Sequence, residues 1–105
     1  MKSQFLEPWT QVGEFASNLV DELQRELIDG HDLYGRSVVA IAQRIDSDDV
    51  LFKVNDGTAY AVVRLTWNGK PEQSPKWPDT KLFPTLEEWQ RLGMAADHEE
   101  FVGAS

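Results

Sequence analysis

The run Tyr60-Ala-Val-Val-Arg-Leu-Thr-Trp67 decides how the rest of the chain is read. It is dense in β-branched and aromatic residues, the types that fit a pleated, half-buried surface. Ala61, Val63, Leu65 and Trp67 share one face of a period-two strand, and Tyr60, Val62, Arg64 and Thr66 share the other. One face is apolar and the other is mixed, which suits the middle of an antiparallel sheet with a helix laid on one side.

The neighbouring segments extend this sheet. Asn55-Asp-Gly57 is a hairpin signal, with glycine supplying the positive φ. Before it, Val50 to Val54 alternates Val50, Phe52 and Val54 against Leu51 and Lys53. Asp46-Ser-Asp-Asp49 reads as a turn whose side chains can satisfy the bend. Ser37 to Ile45 reads as a further strand, with Val39, Ile41 and Ile45 opposite Val38, Ala40 and Ala42. Strands over about residues 37–45, 50–54 and 58–67 therefore form an antiparallel meander.

Towards the N-terminus the period changes. Trp9, Val12, Ala16, Leu19, Val20, Leu23 and Leu27 recur at helical spacing, and Phe15 widens the stripe. This predicts one long helix over about residues 9–28, opened by Pro8 and closed by Gly30, with Asp21 and Arg25 paired one turn apart. Gly13 weakens that helix by ~1 kcal/mol relative to alanine.

After Trp67, Asn68 to Asp79 holds three prolines and cannot be a central strand. It reads as a surface loop in which Trp77 either pins the loop to the fold or offers an aromatic contact anchor. A fourth strand over Lys81 to Phe83 is allowed. Thr85-Leu-Glu-Glu88 is a capping box, opening a short helix over about residues 86–92 that ends at Gly93. The acidic tail beyond it is expected to fray. The fold class is thus α+β: a long N-terminal helix on a three- to four-stranded antiparallel meander, in one domain of 105 residues.

Composition narrows the chemistry. Without cysteine there are no disulfides or thiolate metal sites, and no stretch approaches the length of a membrane span. Residues 1–8 lack the apolar core of a secretory signal, so the cytoplasm is the expected compartment. The net charge of −8 sits in the two ends, −5 over residues 1–32 and −4 over 84–105, against +1 between them. Direct nucleic-acid binding needs a basic footprint and is disfavoured, whereas a basic protein would be steered in.

Motifs of catalysis are missing from the sequence. His31 stands beside Asp32, Tyr34 and Arg36, but adjacent residues are not at ligand spacing, and no metal or cofactor is expected. Asp46, Asp48 and Asp49 superficially suggest a calcium loop, yet the glycine and the distal glutamate of an EF-hand do not fall at the required positions.

Gly30-His-Asp-Leu-Tyr-Gly35, Asp48-Asp-Val-Leu-Phe52, Tyr60 to Gly69, Trp77-Pro78 and Glu87-Glu-Trp89 together resemble the string pattern of small bacterial proteins that carry no assigned function. The likeness spans about residues 20–90. It implies a small bacterial cytosolic protein and carries no catalytic residue across.

The sequence favours a non-enzymatic protein-binding module, such as an immunity protein or inhibitor of a basic toxin or nuclease. Asp21, Glu22, Asp46, Asp48 and Asp49 would supply its acidic contacts, and Trp77 its apolar anchor. Two alternatives stay open. One is a small enzyme or ligand-binding domain using His31, Tyr34 and Arg36; the other is a homodimer closing its own sheet edges.

Overall fold

In a computed structural model that describes residues 5–14, 16–55, 59–67 and 69–103, the core is a five-stranded antiparallel sheet in the order β1-β2-β3-β4-β5. The strands are β1 (Trp9–Gln11), β2 (Val38–Arg44), β3 (Asp49–Val54), β4 (Tyr60–Arg64) and β5 (Asp79–Phe83). A helix α1 (Ala16–Glu26) covers one face of the sheet. A C-terminal helical run covers part of the other, and consists of α2 (Leu86–Trp89), a π-helical turn (Gln90–Met94) and α3 (Ala95–Gly103). No helix among the described residues is long and apolar enough to cross a membrane.

The anchor strand behaves as its alternation requires over most of its length. Ala61, Val63 and Leu65 are buried with Leu19, Leu23 and Leu27 of the helical side, together with Val50, Phe52 and Val54 of β3. Val62 and Tyr60 point the other way, into a second cluster built on Trp9, Leu51, Trp89 and Met94. Trp67 breaks the pattern: its φ of 59° turns it out of the strand, and it is 48 % exposed. The strand expected to run to residue 67 stops at Arg64: the Leu65 amide still donates to the Asp48 carbonyl at 3.2 Å, but the amides of Thr66 and Trp67 are taken by the Glu26 side chain.

The long N-terminal helix is overturned. Trp9–Gln11 instead pairs with β2, Trp9 opposite Arg44 and Gln11 opposite Ala42, and helix begins only at Ala16. Trp9 is buried against Trp89, edge to face at 5.2 Å, on the opposite side of the sheet from α1. Helical spacing from Trp9 to Ala16 is therefore coincidental, because Trp9 and Leu19 serve different cores. Phe15, which the helical stripe would have included, and Gly57 of the hairpin lie outside the described residues. The hairpin itself is closed by the Val54 amide on the Ala59 carbonyl at 3.0 Å.

Two further expectations are corrected. The meander has five strands rather than three or four, with β5 extending the allowed segment back to Asp79. A bulge between Ala40 and Ala42 interrupts the alternation of β2, so that Ala40 packs with the α1 core and Ala42 with the other.

At the C-terminus Thr85 caps α2, its hydroxyl accepting from the Glu88 amide at 3.0 Å. Gly93 then fails to end the helix. Its missing side chain lets the π-helical turn lie on Trp89, where a Cβ would stand 2.9 Å from Trp89 Cδ1. This glycine serves close packing, and the tail continues as ordered helix to Gly103.

Candidate functional site: a charged cleft and a clamped loop

The C-terminal run is fastened towards the β1–β2 side of the sheet. The Trp9 indole N–H donates to Asp97 Oδ2 at 2.9 Å, Arg44 lies 3.5 Å from Asp97 Oδ1, and the Leu6 amide meets Met94 Sδ at 3.4 Å. Fastened there, the run leaves the β4–β5 end of the same face uncovered. The result is a cleft of about 520 Å³ whose apolar floor includes Val62, Phe83 and Trp89. The Trp89 indole N–H at this floor is buried and has no hydrogen-bond partner among the described residues.

Ionic side chains form the cleft walls: Arg44, Arg64 and Lys81 against Asp49, Asp79, Asp97 and Glu100. The two arginines are already committed. Arg64 forks onto Asp49, Nε at 3.0 Å and an Nη at 3.2 Å, a pairing set by their cross-strand register. Arg44 forks onto Asp46 with both contacts at 2.8 Å, and also faces Asp97 and Asp49. Its hydrogen bonds hold the Asp46 carboxyl below its usual range, and the same carboxylates raise Arg44 further. With both guanidiniums occupied by carboxylates, the cleft keeps an acidic balance.

A second construction lies across the sheet. Glu22 and Glu26 fall in the buried stripe of α1, one turn apart, at 2 % and 0 % exposure. Glu26 accepts the Thr66 amide at 3.0 Å on one oxygen and the Trp67 amide at 2.9 Å on the other. Glu22 accepts the Gly69 amide at 3.1 Å and an Arg25 guanidinium contact at 3.0 Å. The Glu26 carbonyl also accepts from the Glu72 amide at 3.1 Å. Pro75 completes the closure by resting on Gly30, where a Cβ would stand 3.1 Å from the proline ring. Burial, and then the adjacent Glu22, push the Glu26 carboxyl up to about 7. The hydrogen bond from Glu26 lowers Glu22, helped by the Gly69 amide and Arg25 and opposed by burial.

The sequence-predicted contacts separate into accessible and inaccessible groups. Asp21 and Asp48 are exposed, and Asp21 borders a shallow depression with Val20 and Val39. Asp46 is exposed but paired with Arg44, while Asp49 is only 9 % exposed and held by Arg64 and Ser47. Glu22 is corrected: it is an interior clamp residue rather than part of an acidic helix surface, and Arg25 pairs with it instead of with Asp21. Trp77 is 52 % exposed and does not pin the loop, a task that falls to the two glutamates and Gly30.

Of the His31, Tyr34 and Arg36 group, His31 is taken up by the backbone and Tyr34 is exposed. The Leu33 amide donates to His31 Nδ1 at 3.0 Å, so the ring proton sits on Nε2 and is given to the Pro78 carbonyl at 2.9 Å. The buried imidazole thus braces the start of β5, and Tyr34 stands exposed away from it. Among the described residues no group of three or more potential metal ligands is placed to hold an ion.

Sequence reading missed Arg44, Arg64, Asp97 and Glu26. A signal existed for two of them. Arg64 is a lone charge inside an apolar strand, and Glu26 falls at helical spacing between Leu23 and Leu27. No family model, curated protein or solved structure matches the chain, so its functional reading rests on this geometry.

Proposed function

We propose that the protein is a non-enzymatic module that binds a basic protein partner, as an immunity protein or inhibitor does, in the cytoplasm. The observation that supports this reading is the acidic balance of the cleft. Four acids face three bases on its walls, an excess of one negative charge: Arg44 and Arg64 are engaged by Asp46, Asp49 and Asp97, which leaves Asp79 and Glu100 against Lys81. A lysine or arginine entering from a partner would meet carboxylates there and lay its aliphatic stem on Val62 and Phe83. Exposed Asp48 lies in the β2–β3 turn next to Asp49 of the cleft wall, and the net charge of −8 would steer a basic protein inwards from a distance.

The test is titration with basic proteins encoded beside this gene, at low and at physiological salt. Binding should weaken at least about tenfold with added salt, and again in the D48N/D79N/E100Q variant. Affinity that ignores both salt and those three substitutions would refute the electrostatic reading. A homodimer is the second reading, favoured by the outer edge of β5, which pairs with no further strand among the described residues. Sedimentation of the isolated chain distinguishes it, since a dimer persists at high salt.

A further inference from the structure

We propose that Glu22 and Glu26 share a single proton at the base of the tryptophan loop, and that losing this proton releases the amides of Thr66, Trp67 and Gly69 from α1. The inference is independent of what the cleft binds.

Geometry carries it. Both carboxylates are buried, one helical turn apart, and together they receive the amides of Thr66, Trp67 and Gly69. Three amide donors and the Arg25 guanidinium can satisfy one negative charge. Among the described residues Arg25 is the cation paired with either carboxylate, so one proton between the two glutamates is the arrangement that closes. On the sheet side, Ala61 and Val63 of β4 and Leu65 just after it are apolar, as are Val50 and Phe52 of β3. Arg36 precedes β2, where its carbonyl accepts from Gln24. The loop brings Lys70, which is exposed, and Glu72, whose carboxylate accepts the Thr66 hydroxyl. The elevated titration of Glu26 agrees with this arrangement.

The consequence concerns what the loop displays. Trp67 is about half exposed, at 48 %, and its own amide is held by Glu26, whereas Trp77, at 52 %, is held by the Ser74 carbonyl and not by the carboxylates. Protonated, the pair holds the Trp67 indole in one arrangement; doubly ionised, it repels itself and the amide bonds loosen. The clamp is thus closed in mildly acidic solution and open in mildly alkaline solution.

Amide hydrogen exchange read by NMR, corrected for the intrinsic pH dependence of exchange, tests this on the intact chain. Protection of Thr66, Trp67 and Gly69 should fall roughly tenfold from pH 6 to pH 8, in step with the side-chain carboxyl carbon of Glu26. Amides of β3 should keep their protection over the same range. E22Q leaves one ionisable carboxyl in the pair, and the transition should move to lower pH. The proposal is overturned if Glu26 titrates in the ordinary carboxylate range, or if loop protection stays constant while Glu26 ionises. Both readings come from the wild-type protein and stand even if the variant fails to fold.

Discussion

Asp49 and Arg64 form one contact with unequal ends. The Arg64 side chain is 62 % exposed and that of Asp49 12 %, so deleting one partner is not equivalent to deleting the other. Arg64→Ala removes a largely solvated guanidinium and should cost under about 1 kcal/mol. Asp49→Ala removes the carboxylate that receives Arg64, Ser47 and part of the Arg44 charge, and leaves polar groups at a partly buried site unmatched. A loss of about 2–3 kcal/mol is expected there. Urea unfolding of the two variants checks the asymmetry, and equal losses would contradict it. The pair was half legible in the sequence. A charge inside Tyr60 to Trp67 is conspicuous, but the reading placed Asp49 in a turn, and only the register of β3 with β4 sets the two opposite one another.

The middle strands were readable because their cause is local: alternation in β3 and β4 follows from side chains two residues apart. The terminal elements depend on contacts that no window contains. β1 forms because Trp9 finds Trp89 and Asp97, which lie at the far end of the chain. The tail is ordered for the reciprocal reason. α3 buries none of its own residues, so composition alone reads it as loose, yet Asp97 ties it to Trp9 and Arg44. Glu22 and Glu26 misled for a related reason, since a carboxylate in a helical stripe looks like surface until the amides it receives are known. Asp97→Ala would leave the buried Trp9 indole N–H without its acceptor and detach α3 from Arg44. Its expected cost is about 1–3 kcal/mol, with increased amide exchange across residues 95–103 by hydrogen–deuterium exchange. A tail that merely frayed would show no change in stability on this substitution.

For the molecule as a whole, the shifted carboxyls respond to pH in opposite directions. Asp46 and Glu22 have carboxyls held below their usual range in the folded state, so the stability they contribute is present above their unfolded pKa and lost as pH falls through the folded one. Glu26 runs the other way. Its folded carboxyl titrates near 7 against an ordinary value of 4.5, so between those limits the native state binds the proton more tightly than the unfolded chain. Stability from Glu26 is therefore complete below about 4.5 and declines as pH rises to about 7. The ceiling on that decline is on the order of 3 kcal/mol, and the lowered Glu22 reduces it, because the two share the same proton. The protein should consequently be most stable in mildly acidic solution, although its charge of −8 at pH 7 alone would already favour pH values nearer its isoelectric point of about 4.6. Glu26→Gln separates the two causes. It changes the net charge by one unit and leaves general repulsion nearly intact, but it removes the group that titrates near 7. Thermal unfolding between pH 5 and pH 8 should show a marked decline for the wild-type protein and a shallower one for the variant. If the two slopes coincide, general repulsion accounts for the pH dependence and the buried carboxyl pair contributes nothing to it.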